Sequence, residues 1–215
     1  MTLNQIGRET EPPAGVDASA GVDYDARLML EVRGGSTACF ALLLERHRNP
    51  VIHFLFRMVQ NQAVAEELAQ EAFLRVYRSR ESYEPSAKFT TWLFRIATHL
   101  ALNWLRDNRR ERGQESLDQE LAEGMVRQVP DRVPNVEQSM VADARLDEVR
   151  RAIQLLPEKQ RAAVIMHKYQ ELDYTQIALV LGCSEAALKS LLFRAYETLR
   201  ARLAHLNRAA VRTEA

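Results

Sequence analysis

The stretch Tyr174–Leu199 constrains the fold of this chain most, because its residues follow the pattern of a helix-turn-helix. Ala178 is small enough for two helices to cross closely, and Gly182 can adopt the left-handed backbone conformation that a tight turn requires. The second helix of such a motif is shaped to enter the major groove of DNA. A three-helix bundle without DNA contact is the alternative. The apolar residues that recur at helical spacing, and that would form the shared core, are Ile177, Leu181, Leu188 and Leu192.

Charge is balanced over the whole chain but unevenly distributed along it. The 215 residues carry 29 Lys and Arg against 29 Asp and Glu, so the net charge indicates no class of partner. Acidic residues dominate 1–25 and 115–148, whereas basic residues gather at Arg106–Arg112 and along Lys189–Arg212. This distribution favours basic faces on two folded units joined by an acidic tether, with ordinary solvated surfaces as the alternative.

The sequence gives no sign of a metal site, a cofactor site or a catalytic centre. Cys39 and Cys183 are far apart, and there is no Cys-x-x-Cys pattern or Cys/His cluster. Cys183 lies in the turn and is expected to be a small packed residue. Glu66, Glu67 and Glu71 are close in sequence, but no nucleophile or metal ligands accompany them, so we do not expect an enzyme.

The hydropathy pattern predicts a cytoplasmic protein that does not insert directly into a membrane. No apolar run is long enough to span a bilayer, and the signal-peptide pattern is absent. We therefore expect a reducing environment for both cysteines.

The apolar periodicity predicts an all-α protein with two small helical domains joined by a flexible acidic linker, and no strand. Residues 1–22 contain proline and glycine but little periodic apolar content, which predicts a disordered tail. An N-terminal domain follows over residues 23–112. Its predicted helices are roughly Tyr24–Arg33, a helix capped by Ser36, a separate helical stretch between Pro50 and Val59, Gln62–Ser79 and Thr91–Arg110.

Residues 113–140 have weak periodicity and read as the linker, since a compact connection is rarely so long. The C-terminal domain covers residues 141–207 and a short tail covers 208–215. Asp173 is the expected N-cap of the helix-turn-helix, with Gln176 as its capping-box partner. The helices predicted ahead of that motif are Ala142–Leu156 and Pro157–Tyr169, with Pro157 in the first turn.

The last helix of the N-terminal domain has one apolar and one polar face. Arg95, His99, Asn103 and Arg106 recur at helical spacing and form a single polar stripe. Asn and His side chains can read base edges, and Arg binds phosphate as a bidentate fork. The alternative is an ordinary solvated helix face. The apolar face consists of Leu93, Ile96, Ala97, Leu100, Ala101, Trp104 and Leu105.

Three segments, taken together and in order, resemble the bacterial sigma factors of the sigma-70 family. They are LAQEAFLRVYRS (68–79), FTTWLFRIATHLALNWLRDNRR (89–110) and LPEKQRAAVIMHKYQELDYTQIALVLGCS (156–184). The resemblance covers about Tyr24–Leu206, and the short two-domain layout resembles the extracytoplasmic-function class. It implies a factor that binds core RNA polymerase, recognises the −10 and −35 promoter elements and promotes local DNA melting.

The resemblance assigns two jobs to the N-terminal domain. The predicted helix Gln62–Ser79 would dock on the clamp helices of the β′ subunit of core RNA polymerase. The β subunit is a further expected contact. The loop Ser82–Lys88 would capture a flipped base of the −10 element, with Phe89 and Trp92 supporting the pocket unless these rings are core. The implied polymerase-binding residues are Glu67, Leu68, Gln70 and Glu71, with Leu68 as a core residue the alternative. The implied −10 residues are Lys88, Trp92, Arg95, His99, Asn103, Arg106, Arg109 and Arg110, the basic ones holding phosphates.

In the C-terminal domain, the resemblance places Lys189, Ser190, Phe193 and Arg194 on the face that meets the −35 element. Lys189 and Arg194 can bind phosphate or guanine edges. The chain departs from the family at Leu191, where a basic residue is frequent. We expect Leu191 to be partly core, with less phosphate contact as the result.

The resemblance also implies partners beyond promoter DNA and core polymerase. An anti-sigma factor is expected, and it would cover the DNA- and polymerase-binding faces. The acidic linker either mimics RNA in the basic channels of polymerase or is a soluble tether. Two other functions remain open at this point: a dimeric helix-turn-helix regulator that binds duplex DNA alone, and a polymerase-binding regulator with a vestigial C-terminal domain.

Overall fold

The computed structural model describes residues 23–115 and 136–206, and every regular element in those ranges is helical. The all-α prediction is therefore confirmed over the described chain. The two predicted tails and the central part of the predicted linker lie outside it. The elements are α1 (Tyr24–Arg33), α2 (Thr37–Val59), α3 (Gln62–Arg78), a 3₁₀ turn (Arg80–Ser82), α4 (Phe89–Glu115), α5 (Val136–Gln154), α6 (Glu158–Tyr169), α7 (Tyr174–Leu181) and α8 (Glu185–Arg202).

The N-terminal unit consists of α1 to α4 around a common apolar core. Ser36 caps α2 as predicted, since its hydroxyl oxygen accepts a hydrogen bond from the backbone N–H of Cys39 at 3.3 Å. Asn61 caps α3 in the same way through the N–H of Val64 at 3.1 Å. Between these helices Gln60 takes a left-handed conformation with φ 57°, which ends α2 and turns the chain into α3.

The prediction of a helix break at Pro50 is wrong, because α2 continues through it. A proline inside a helix lacks the N–H that would bond one turn back, and so costs stability. Here the cost is offset by tertiary burial on both sides of the proline. Leu43 and His47 are buried before it, and Val51, Phe54 and Leu55 are buried after it.

Two helices are longer than predicted and shorten the linker. α4 begins at Phe89 and continues past Gly113 to Glu115, and α5 begins at Val136, two residues after Pro134. A single glycine costs a helix about 1 kcal/mol, which neighbouring helix-forming residues can outweigh. Residues 113–115 and 136–140, predicted as linker, are therefore helical, and residues 116–135 lie outside the described chain.

The C-terminal unit contains the predicted helix-turn-helix. α7 and α8 meet at an angle of 96° across a turn in which Gly182 takes φ 63°. The capping box is confirmed: the side chain of Asp173 accepts from the N–H of Gln176 at 2.8 Å, and the side chain of Gln176 accepts from the N–H of Asp173 at 2.9 Å. Of the predicted shared core, Ile177, Leu188 and Leu192 are buried and Leu181 is half-buried.

The two units pack against each other through α2 with α6 and α4 with α7. Backbone carbonyls near the end of α2, which lack partners inside that helix, accept hydrogen bonds from the C-terminal unit. Gln154 Nε2 donates to the carbonyl oxygen of Arg57 at 2.6 Å, and Arg161 Nη1 donates to that of Met58 at 2.8 Å. The guanidinium of Arg57 in turn lies 4.3 Å from the ring centre of Tyr169. The buried apolar residues of both units accordingly form one continuous cluster.

Within the described ranges, no single helix is both long and apolar enough to cross a membrane. The helices α7 and α8 meet that criterion only when taken together.

Candidate nucleic-acid and protein interfaces

The polar stripe predicted on α4 is exposed to solvent along its whole length. Arg95, His99, Asn103 and Arg106 all lie on the surface, and the guanidinium of Arg106 donates to Asp107 Oδ1 at 3.2 Å. The opposite face is buried, as predicted: Leu93, Ala97, Leu100 and Ala101 are in the core, and Ile96, Trp104 and Leu105 pack against it. A rigid helix thus presents amide, imidazole and guanidinium groups in a line, which suits contact with a nucleic-acid strand.

The loop that leads into α4 rests on an aromatic cluster. Tyr83 and Phe89 are buried, and the half-buried ring of Trp92 lies 4.9 Å from that of Tyr83 and 6.1 Å from that of Phe89. Lys88 is exposed beside this cluster. Phe89 is therefore core, whereas Trp92 is only half-buried and can still contact a base.

Two further cations predicted to hold DNA phosphates lie toward the far end of α4. Arg110 is exposed. Arg109 is also exposed but forms an ion pair with Glu158 of the C-terminal unit. An exposed pair of this kind is worth little free energy, so Arg109 remains able to exchange Glu158 for a phosphate.

The second candidate surface is the outer face of α8. Lys189, Ser190, Phe193 and Arg194 are all exposed, and Phe193 retains 66% of its surface. Ser190 Oγ donates to the backbone carbonyl of Ala186 at 3.1 Å, and Arg194 Nε donates to that of Ser190 at 3.3 Å. These bonds run along the helix and leave the side chains exposed. The helix therefore offers two cations, a hydroxyl and an apolar ring to a groove of DNA.

Leu191 occupies the position at which the sequence departs from the sigma-70 factors it resembles, where a basic residue is frequent. It is half-buried and packs against the core, as predicted, while Leu188 and Leu192 on either side are fully buried. Cys183 is likewise half-buried against the core. The departure at Leu191 thus adds apolar contact in place of a charge on α8.

Next to α8, a small polar cluster joins α6 to α7 and α8. His167 Nδ1 lies 2.9 Å from the hydroxyl of Tyr196, and its ring stacks on that of Tyr174 at 5.2 Å. Burial lowers the pKa of His167, with the charge of Lys168 acting in the same direction, and burial raises the pKa of the Tyr196 hydroxyl. A neutral imidazole is therefore favoured inside the unit, where it orients α8 without adding charge.

The third candidate surface is α3, on which the predicted polymerase-binding residues fall into two groups. Glu67 and Glu71 lie one turn apart, with Leu68 beside them half-buried against the core. Glu71 accepts from Arg75 Nε at 2.7 Å. Gln70 is exposed and instead lines an apolar groove between α2 and α3.

That groove was not predicted from the sequence. Its volume is about 510 Å³, and Leu74 on its wall is 48% exposed. The sequence signal for it was Leu74, which lies off the buried stripe of α3 and remains at the surface. An apolar groove beside carboxylate and amide groups is suited to a helical protein partner. The apolar and aromatic residues that line it are Phe40, Leu44, Ile52, Ala69, Phe73, Leu74 and Tyr77.

No group of His, Cys, Asp and Glu side chains in residues 23–115 or 136–206 is arranged to hold a metal ion.

Comparison with known proteins identifies both units. Residues 43–111 match the family model described as sigma-70 region 2, and residues 146–199 match sigma-70 region 4. The RNA polymerase sigma-H factor of Pseudomonas aeruginosa is 31% identical over 180 residues, which cover 82% of this chain and 92% of that protein. The ECF RNA polymerase sigma factor SigW of Bacillus subtilis is 30% identical over 180 residues, covering 82% and 95%.

Solved structures show the same fold at lower identity. CnrH, in a complex with the cytosolic domain of CnrY, aligns with a TM-score of 0.64 and 19% identity over 85% of this chain and 99% of its own. The sigma factor RpoE of Bartonella quintana, in complex with the anti-sigma factor NepR, aligns with a TM-score of 0.61 and 21% identity over 76% and 96%. With two family models in order and relatives at this identity over most of its length, the chain belongs to the sigma-70 family, in its extracytoplasmic-function class.

Proposed function

We propose that the chain acts as a sigma factor through three surfaces, each on a different helix. The α3 surface, with Glu67, Leu68, Gln70 and Glu71, binds the clamp helices of the β′ subunit of core RNA polymerase, and the β subunit is a further contact. The α4 stripe and the loop before it read the −10 element, and α8 reads the −35 element. The role is one of binding rather than catalysis, and it is carried out in the cytoplasm, where polymerase and promoter DNA are found.

The observation that carries this proposal is the exposed stripe of Arg95, His99 and Asn103 on a helix whose other face is core. Lys88, Arg106, Arg109 and Arg110 extend it with positive charge at both ends. A single DNA strand laid along α4 would meet phosphate-binding cations outside and base-reading groups in the middle. Trp92 lies at the start of this path, where its half-buried side chain can contact an unpaired base.

The −35 assignment is supported by α8, whose exposed residues Lys189, Ser190, Phe193 and Arg194 follow a well-formed helix-turn-helix. Lys and Arg can bind phosphate or guanine edges, and an aromatic ring can pack on the methyl group of thymine. Because the two surfaces lie on separate units, binding of both elements selects a promoter by two short sequences at once.

An anti-sigma factor is the proposed regulatory partner. The solved structures of CnrH and of the Bartonella quintana RpoE are complexes with CnrY and NepR. The apolar groove between α2 and α3 is an available site for such a partner, and its occupation would compete with polymerase for the same face.

The test is run-off transcription with purified core polymerase on a genomic promoter library, with and without this protein. We expect transcripts from a discrete promoter set only when the protein is present, with common sequences at −10 and −35. A correctly folded protein that neither binds core polymerase nor initiates would contradict the proposal. Binding to duplex DNA alone, as a dimer on two half-sites, would indicate a conventional helix-turn-helix regulator instead.

A further inference from the structure

The loop ahead of α4 is held at both of its ends by the N-terminal helix α1. Where the loop begins, Arg33 Nη1 donates a hydrogen bond to the backbone carbonyl of Tyr83 at 3.3 Å. Where it ends, the backbone N–H of Phe89 donates to Asp23 Oδ2 at 3.3 Å. The partners are 50 and 66 residues apart in sequence, so tertiary structure rather than chain proximity brings them together.

The side chain of Asp23 contacts the start of α4 instead of capping its own helix, α1. It is the N-cap residue of α1, yet its side chain makes no capping bond to that helix. Its carboxylate instead accepts from the first residue of α4. A carboxylate at a helix N-terminus satisfies an unpaired N–H and interacts favourably with the helix dipole, so Asp23 stabilises the start of α4.

The first turn of α1 is itself anchored in the core. Asp25 is 5% exposed and accepts from Arg46 Nε at 2.9 Å, while its other oxygen lies 2.8 Å from His47 Nε2. The His47 ring packs 5.4 Å from the ring of Phe89. These contacts tie α1, α2 and the start of α4 together, so Asp23 and Arg33 have a rigid support from which to hold the loop.

Between the two held ends, the middle of the loop is open to solvent. Glu84, Pro85, Ser86 and Lys88 are exposed, whereas Tyr83 before them is 3% exposed and contacts Trp92. A short loop between two fixed ends has few conformations available, while its exposed middle can still receive a ligand. Less ordering is then needed when a ligand binds, because the loop is organised beforehand.

We propose that Asp23 and Arg33 are positioning residues for promoter melting, which hold residues 83–88 in the shape that captures one unpaired base of the −10 strand. This inference rests on the proposed function, in which that loop forms the base pocket. Neither residue contacts the DNA in this mechanism. Both act through the backbone of the loop, so their loss should affect the base-specific part of DNA binding and leave the phosphate contacts of α4 intact.

The experiment measures binding of fluorescent single-stranded −10 oligonucleotides to the protein in complex with core polymerase. One oligonucleotide carries the full −10 sequence, and the others carry an abasic site at each position in turn. For the unaltered protein, we expect one abasic position to weaken binding about tenfold or more, the range that stacking of a single base on an aromatic side chain provides.

In Asp23→Ala and Arg33→Ala, we expect that penalty to shrink to about twofold, with unchanged affinity for the abasic oligonucleotide and for core polymerase. Asp23→Asn retains an acceptor oxygen and Arg33→Lys retains a donor, so each should recover part of the discrimination. Arg27→Ala removes an exposed arginine from the same helix and should behave as the unaltered protein.

Two results with the variants would overturn the inference, provided that thermal unfolding shows the variants to be folded. One is equal weakening for intact and abasic oligonucleotides, since that indicates a general effect on the DNA surface. The other is full discrimination in both alanine variants. An unaltered protein that initiates transcription but shows no sensitive position would also reject the base pocket while leaving the sigma function in place. Failure of the unaltered protein to initiate at all would instead reject the proposed function.

Discussion

At the scale of single residues, Tyr83 places a phenol in the interior where its hydroxyl meets no hydrogen-bond partner among the described residues. Burial, followed by the charges of Asp23 and Asp25, raises its pKa to about 12. In the unfolded chain a tyrosine titrates near pH 10. The folded state therefore holds the proton to higher pH than the unfolded state, and this contribution to stability is complete below about pH 10 and is lost as the pH rises toward 12.

We expect Tyr83→Phe to make the protein less sensitive to alkaline pH. At pH 7 the substitution removes an unpaired buried hydroxyl, so the free energy of unfolding should stay the same or rise by about 1 kcal/mol. Between pH 10 and pH 11.5 the unaltered protein should lose stability more steeply than the variant. Urea unfolding at both ends of this range measures the difference, and parallel pH profiles for the two proteins would contradict the expectation.

A substitution at Leu191 would measure how far an apolar residue on α8, the proposed −35 helix, limits DNA affinity. We expect Leu191→Arg to keep the fold, because the arginine stem can cover the same apolar surface while its charge reaches solvent. Affinity for a −35 duplex should rise at low salt, and the slope of log K against log salt should steepen by about one unit. Leu191→Gln supplies similar polarity without charge, and a matching increase in that variant would show that charge is not the cause.

At the scale of elements, the helix-turn-helix depends on its capping box. Replacing Asp173 by alanine removes the acceptor for the N–H of Gln176 at the start of α7. We expect the free energy of unfolding to fall by about 1 kcal/mol, the usual cost of losing an N-cap. Asp173→Asn keeps a side-chain oxygen and should lose only a few tenths, as measured by urea unfolding. Equal losses in the two variants would place the effect outside the cap.

Periodicity and capping residues were sufficient to predict most of the helices. Ser36, Asp173 and Gly182 have local chemistry that fixes a helix end whatever the rest of the chain does. The break at Pro50 was predicted wrongly because its local cost is outweighed by burial against distant residues. The prediction that Gly113 lies in the linker was wrong for a similar reason, because helix-forming residues surround it and α4 continues through it.

A candidate surface could be predicted from the sequence when all of its residues lie on one helix. The stripe of Arg95, His99 and Asn103 follows from helical spacing alone, and the structure leaves it exposed. The apolar groove needs α2 and α3 side by side, and the support of the loop by Asp23 and Arg33 needs contacts across 50 residues or more. Sequence spacing along a single helix contains no information about such pairs.

At the scale of the whole molecule, the two units share one apolar cluster and a set of hydrogen bonds at the end of α2. Gln154 and Arg161 supply donors to carbonyls that the helix cannot satisfy itself. The stack of Arg57 on Tyr169 adds a cation–π contact. The arrangement of the units is thus stabilised by shared apolar burial and by a few identifiable polar and cation–π contacts.

We expect the double variant Gln154→Ala, Tyr169→Ala to shift the equilibrium toward separated units without unfolding either unit. A neutral hydrogen bond and a cation–π contact together contribute about 1–2 kcal/mol, which corresponds to roughly a tenfold shift in the equilibrium. Spin labels at the exposed positions Ala63 and Ala201, in a background of Cys39→Ala and Cys183→Ala, would report the distance between units.

The unaltered protein should give a narrow distance distribution, and the double variant a broader one with longer distances. Lys159→Ala changes an exposed residue of the same unit and serves as the control. Identical distributions in the unaltered and doubly altered proteins would show that other contacts hold the units together.

The contact between α4 and α7 has a consequence for how promoter length is measured. Elements centred at −10 and −35 are about 25 base pairs, or roughly 85 Å, apart along B-form DNA. α8 packs on α7 and α7 packs on α4, so two helix spacings of 8–10 Å place α4 and α8, the two proposed DNA-reading helices, only about 20 Å apart. The arrangement with the units in contact cannot span that interval. In the proposed function, the distance between the two elements is therefore set by the polymerase that binds both units. This chain supplies the helices that read the elements and does not itself fix the spacing between them.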